Sequence, residues 1–248
     1  MVAFRAACLA AVTLACGVCA HAAERATLRR FPPIAQGVAA LPRLLAPPGD
    51  RAASRINDAL EKQNQETPCG AGAGSRREYS RSVAVDMAGP RYLSVLVTQD
   101  WYCGGPYPTS GDDTPLVFDL RTGERPDWVR LLGASLAQKT IDYNRVGEGL
   151  IVSQTLSSIY QPLSGDDAQC RSALTNWPGG IGFMVWPDAA ADALEVQPGN
   201  LPHVVAACGP PAAISAPRLR KLGVEPALLD AIDEAHRRGW YDKPAPGR

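Results

Sequence analysis

Four cysteines, Cys69, Cys103, Cys170 and Cys208, constrain this chain most, because the compartment in which it folds decides what they become. The N-terminus indicates that compartment. Arg5 supplies a short positive region, residues 6–20 form an apolar run, and Ala20, His21 and Ala22 give the small–x–small pattern of a cleavage site. The run is shorter than the roughly 20 residues that cross a bilayer. Residues 1–22 therefore read as a secretory signal peptide, and the product as periplasmic or secreted. A lipoprotein is the rival reading, since Cys16 and Cys19 lie in the right region. Leu14 stands one place too close to Cys16, and Val18 directly before Cys19 is the wrong residue for lipidation.

Cys8, Cys16 and Cys19 leave with the leader. The four that remain, an even count in an exported chain, read as two disulfides. Three pairings are open. Cys69 with Cys103 and Cys170 with Cys208 is preferred, because it staples the two halves of the chain separately. Each bridge would close a loop of roughly 35 residues and contribute about 3–4 kcal/mol by the chain-entropy argument. A zinc site is the other use for four thiolates. The mature chain has no C-x-x-C pair and only His203 and His236 as histidines, which is poor zinc-ligand spacing.

Charge narrows the partners. Basic and acidic residues balance at 25 each, so no broad field favours nucleic acid or an anionic membrane. No later segment is long and apolar enough to span a bilayer.

Residues 23–49 are rich in proline and alanine and read as an extended lead-in, with residues 50–248 as a single domain. Asp50 is placed to cap a helix whose Ala53, Ile56, Ala59 and Leu60 share one face. Residues 63–75 are a polar, glycine-rich loop carrying Cys69. Alternating apolar residues predict strands over 78–87 and 91–99, with Ala88, Gly89 and Pro90 as a tight hairpin connection. A third strand follows over 115–120, and Gly123 suits a turn that needs positive φ. Helical patterns cover 128–138 and 150–160, and 166–177 reads as a polar loop carrying Cys170. Strands are expected at 181–186, ended by a turn at Pro187 and Asp188, and at 193–196 and 212–214. Helical turns are expected at 201–208 and 216–222, and a final helix over 226–238 is closed by Gly239. The fold class is α+β: a small antiparallel sheet, a hairpin plus a third strand, packed by several helices and stapled by two disulfides.

Chemistry-bearing residues concentrate in the stretch WYCGGPYPTSGDD at 101–113. Cys103 would need a histidine partner to act as a nucleophile, and its opposing role is half of a disulfide. Asp112 and Asp113 are echoed by Asp166 and Asp167, each pair behind Ser-Gly. Two such loops would offer oxygen to calcium, but neither has a calcium loop's ligand spacing, and Ser-Gly-Asp is also a solvated turn. His203 reads as a packed or capping residue before it reads as a base, and His236 as a solvated one. No G-x-S-x-G, H-E-x-x-H or phosphate-binding glycine loop is present, so no cofactor and no metal is implied.

Two short motifs carry a resemblance. Gly104 and Gly105 after a strand, then Asp119, Thr122 and Gly123 at the end of the next strand with a helix at 128–132, resemble the RsiV-type extracytoplasmic domain. That domain of unknown function also occurs beside polysaccharide deacetylases of the PdaC kind. The likeness covers residues 80–135 and extends weakly to the strand and Pro-Asp turn near Trp186. Pro106 and Tyr107 stand where the family often has Ala-His, so no role of that histidine carries over. The RsiV module recognises lysozyme, so the resemblance implies a protein-binding role.

Together these readings describe an exported, non-enzymatic, disulfide-bonded domain that binds an envelope protein or a peptidoglycan-related ligand. Trp101, Tyr102, Tyr107 and Tyr160 are candidate surface anchors, beside Asp112 and Asp113. The alternative is a hydrolase of cell-envelope glycan or peptide that uses His203 with Asp112 or Asp113.

Overall fold

The structure, a computed structural model, describes residues 24–66, 69, 78–104, 110–141, 149–163, 165, 167–176 and 180–242. The leader at 1–22, Tyr107 and Asp166 lie outside the described residues.

The lead-in folds back on itself, β1 (Leu28–Arg29) pairing with β2 (Arg43–Leu44). Helix α1 (Arg51–Gln65) follows, with Asp50 Oδ1 accepting from the Ala53 N–H at 2.9 Å as its N-cap. The expected strands then form a three-stranded antiparallel sheet of β3 (Glu78–Ala88), β4 (Tyr92–Tyr102) and β5 (Ser110–Asp119), in that spatial order. The β3–β4 hairpin turns at a cis Gly89-Pro90 bond, with Gly89 at φ 100°. A Cβ on Gly89 would lie 2.7 Å from the Glu24 carbonyl, so the lead-in can run alongside only because residue 89 is glycine. Residues 110–113 belong to β5, where a solvated turn was expected. Pairing with residues 98–101 of β4 outweighs the weak strand preference of Ser, Gly and Asp.

A second antiparallel sheet lies across the first. Its strands are β6 (Lys139–Ile141), β7 (Leu150–Val152), β8 (Gly182–Asp188), β9 (Ala193–Pro198) and β10 (Ala212–Ser215), in the order β10-β9-β8-β7-β6. The helices are α2 (Trp128–Leu132), α3 (Gln154–Tyr160), α4 (Ala168–Thr175), α5 (Ala216–Lys221) and α6 (Pro226–Arg238), with a 3₁₀ helix at His203–Cys208. The molecule is α+β, as the strand runs predicted.

Four local expectations are corrected. The helix expected over 128–138 stops at Leu132, because Gly133 at φ 73° ends it and the chain leaves toward β6. The helical pattern at 150–160 divides: Leu150, Ile151 and Val152 form β7. Ser153 then starts α3, its Oγ accepting from the Leu156 N–H at 3.1 Å. The polar loop around Cys170 contains α4, which Asp167 caps by accepting from the Gln169 and Cys170 N–H groups. The turn expected at Pro187 and Asp188 comes just later, because both residues still pair with β9.

Cross-strand neighbours share a face, and the first sheet is buried on both. On one face Leu93, Val95, Val97, Leu116 and Phe118 pack with Ile56 and Leu60 of α1 and with Leu41 and Leu44 of the lead-in. On the other, Met87, Tyr92 and Val117 enter a larger core with Trp186 of β8 and the apolar faces of α2, α3 and α6. A β-bulge between Val85 and Met87 sets Asp86 outside the ladder. Asp86 Oδ2 accepts from Trp186 Nε1–H at 3.1 Å and its carbonyl from the Ala189 N–H at 2.9 Å, tying one sheet to the other.

The outer edge of β3 is filled from both ends of the described chain. Arg81 bonds Gly37 and Ala39 through its main chain, Val85 bonds Asp242, and Ala88 bonds Trp240 and Ala26. The Arg81 side chain is buried (3 % exposed). It donates to Ala39 O at 2.8 Å, to Gln63 O at 3.2 Å and to Asn64 Oδ1 at 3.1 Å. The proline-rich lead-in is thus packed into the fold.

Both preferred disulfides are present, with Cα separations of 5.3 Å for Cys69–Cys103 and 5.0 Å for Cys170–Cys208. The first joins the segment after α1 to the end of β4, and the second joins α4 to the 3₁₀ helix. No helix among the described residues is long and apolar enough to cross a membrane.

Replacing Arg81 with Met removes the side-chain donor to the Ala39 and Gln63 carbonyls and leaves Asn64 Oδ1 with the Leu41 N–H alone. Arg81→Met should lower stability by about 2–4 kcal/mol, read as a fall in urea midpoint. A shift below about 0.5 kcal/mol would remove Arg81 as the clamp between lead-in, α1 and β3.

Candidate functional site: a cleft where the two sheets meet

The ends of β4 and β5 meet the segment from β9 to the 3₁₀ helix around a cleft of about 650 Å³. Thr98, Asp100, Trp101, Gly111 and Asp113 border it from the first sheet, and Met184, Gln197, Gly199 and Leu201 from the second. Pro202 and Ala206 carry the 3₁₀ segment along its rim. Cys208, at the end of that helix, is bonded to Cys170 of α4, so the disulfide holds this wall in place.

Strand alternation separates the aspartate pair. Asp113 lies opposite Thr98, and Asp112 opposite Gln99, so their side chains leave opposite faces of the sheet. Asp113 spans the sheets: Oδ1 accepts from Thr98 Oγ1 at 2.7 Å and Oδ2 from Gln197 Nε2 at 3.2 Å. Asp112 shares its face with Gln99, whose Oε1 accepts from the Tyr79 hydroxyl at 2.7 Å. The two cannot serve as paired carboxylates on one substrate. Asp100, which the sequence did not single out, is exposed on the Asp113 face, opposite Gly111. A Cβ at residue 111 would come within 2.8 Å of Asp100 Oδ1, so glycine there leaves that carboxylate uncovered.

The aromatic candidates divide. Trp101 is half-buried and borders the cleft, and Tyr102 is half-buried beside Cys103. Tyr160 is not a surface anchor. It is fully buried, its ring edge-on to Phe183 with centroids 5.3 Å apart, and its hydroxyl donates to Pro210 O at 2.7 Å. An amphipathic helix needs an apolar face, and Tyr160 serves there with Leu156 and Ile159. His203 opens the 3₁₀ helix. His236, expected in solvent, is half-buried, with Nδ1 donating to Ala189 O at 2.8 Å and its ring stacked on Tyr241. Cys103 is bonded to Cys69 and is not a nucleophile in this state. Asp167 caps α4, and no group of three His, Cys, Asp or Glu among the described residues is gathered to hold a metal ion.

Gln197 and Glu195 were missed, although both are polar residues in the otherwise apolar strand ALEVQP, which is the signal that marks them. Glu195 lies opposite Trp186 on the face of β9 that carries Gln197. Burial, with Asp188 nearby as a second cause, pushes its carboxyl up to about 7.

No family model matches the chain, and no curated protein matches it significantly.

The raised carboxyl has a definite consequence for stability. As pH rises from the ordinary value of 4.5 toward about 7, the unfolded chain releases the Glu195 proton and the folded one retains it. Stability attributable to this group is therefore full at acid pH and is lost as pH rises through that window. Glu195→Gln should remove that decline and leave the variant more stable than the parent by about 1 kcal/mol at about pH 8. Urea midpoints near pH 4 and pH 8 measure it, and an identical decline in both proteins would exclude Glu195 as its source.

Proposed function

We propose that the chain is an exported, non-enzymatic binding module, which holds an envelope protein or peptidoglycan-related ligand in the cleft between its sheets. The observation that carries this reading is the cleft: it is polar, about 650 Å³ in volume, and built on strands and a stapled 3₁₀ helix. Rigid walls with a few placed polar groups and one aromatic are what a binding site requires. Two disulfides accord with an oxidising compartment, and the leader-like N-terminus with export. The resemblance to the RsiV-type domain favours a protein ligand. Binding is preferred to hydrolysis because both Asp113 oxygens are engaged by Thr98 and Gln197, leaving that carboxylate a connecting role between sheets.

Two measurements test the proposal. Protein recovered from the periplasm or medium of an expressing bacterium should begin at Ala23 by intact mass; retention of residues 1–22 would refute export. Immobilised protein should retain envelope proteins or soluble peptidoglycan fragments, and Trp101→Ala should weaken retention about tenfold, the loss typical of an aromatic anchor. Peptidoglycan cleavage by the wild type that disappears in His203→Ala would establish the hydrolase instead.

A further inference from the structure

Among the described residues β5 is the last strand of its sheet, so alternate residues turn their main-chain groups away from β4. The β3 side of the same sheet identifies them. Arg81, Val85 and Ala88 each use both N–H and C=O outward, on Gly37 and Ala39, on Asp242, and on Trp240 and Ala26. Their ladder partners Gln99, Val95 and Leu93 therefore direct their main-chain groups away from β3, to Asp112, Leu116 and Phe118 of β5. The outward residues of β5 are then Gly111, Asp113, Pro115, Val117 and Asp119.

Part of this edge is closed. Pro115 has no N–H, Val117 O accepts from Arg125 Nη1 at 3.2 Å, and the Asp119 N–H donates to Glu124 O at 2.9 Å. At Gly111 and Asp113 no described group occupies the outward N–H and C=O, and both residues border the cleft. Asp100 and Asp113 are among the described residues lining the cleft, and no Lys or Arg is among them. The described partners of the Asp113 carboxylate, Thr98 and Gln197, are neutral donors, and Asp100 is exposed.

We propose that the edge at Gly111 and Asp113 adds a strand, taking an extended, lysine- or arginine-bearing segment of a partner protein antiparallel to β5. This deepens the binding reading of the cleft and rests on it. The added residues opposite Gly111 and Asp113 exchange main-chain hydrogen bonds with them and share their face. A cationic side chain opposite Gly111 then passes over a residue with no side chain to reach Asp100, directly across the ladder. Pro115 ends the addition, so the site is short and its register is set by where the charges fall.

The test uses the whole mature protein and a capped eight-residue peptide of alternating valine and lysine. Binding is read from Trp101 fluorescence and from amide exchange at Gly111 and Asp113. The peptide should bind, slow both amides, and bind less as salt rises. N-methylation of the lysine amides removes the bonding row and should weaken binding about thirtyfold, roughly two hydrogen bonds. N-methylation of the valine amides, which face away, should change it little. Asp100→Asn should weaken binding about threefold, and glutamate in place of lysine should abolish it. Equal loss from either methylation, or none, overturns strand addition. Equal binding of the glutamate peptide overturns the cationic preference. Peptidoglycan fragments that perturb Trp101 when no peptide does overturn a peptide ligand and leave the binding module standing. If neither peptides nor envelope material engage the cleft, both readings fall.

Discussion

The central strand β4 has its neighbours on both edges and apolar cores on both faces, and the placement of the remaining structure follows from that. Its odd residues Leu93, Val95 and Val97 face α1 and the lead-in, while Tyr92 and Leu96 face the second core. A one-residue slip would exchange the two sets and place each against the wrong partner, so its register is strongly specified. That register carries two consequences to opposite ends of the sheet. At one end it brings the bulge at Asp86 under Trp186 and locks the sheets together. At the other it sets Thr98 beside Asp113 and turns Asp113 toward Gln197.

Much of this was legible in the residues. Period-two alternation located β3 and β4, the face of Ala53, Ile56 and Leu60 located α1, and Pro226 and Gly239 bracketed α6. The disulfide pairing was legible too, through the economy of closing each half on itself. What escaped were elements whose local preference is overruled by distant partners. Leu150, Ile151 and Val152 look equally like the start of a helix until Gly182 and Phe183 pair with them. Ser110, Gly111, Asp112 and Asp113 read as a turn, and only the excess length of β4 draws them into the sheet. Residues 166–177 look like a polar loop because α4 has one buried residue, Leu174, and is held by a cap and a disulfide more than by an apolar face.

The candidate site was legible by region and not by role. The passage at 101–113 does border the cleft, but the meaning of its residues depended on which face each takes. As a turn, Asp112 and Asp113 form a carboxylate pair. As a strand, they divide between faces, and Asp113 acquires Thr98 and Gln197 while Asp100 comes forward on the same face. The partner Gln197 lies 84 residues away in sequence, beyond any local pattern. Tyr160 shows the converse error, since an aromatic that caps a helix's apolar stripe is indistinguishable by sequence from one displayed on a surface.

The two edges of the three-stranded sheet are treated differently, and the difference has a physical meaning. An unpaired strand edge is a hazard that folded chains close with charge, proline or covering segments. At β3 that closure is extensive: the lead-in, the residues after α6, the Arg81 side chain and Asp242 all contribute. At β5 closure by described groups reaches from Asp119 to Pro115 and stops. The open remainder lies beside Asp100, which guards a free edge against other copies of the same acidic segment by like-charge repulsion. Repulsion of that kind discriminates by charge, so the features that keep Gly111 and Asp113 from self-association also favour a basic strand over an acidic one.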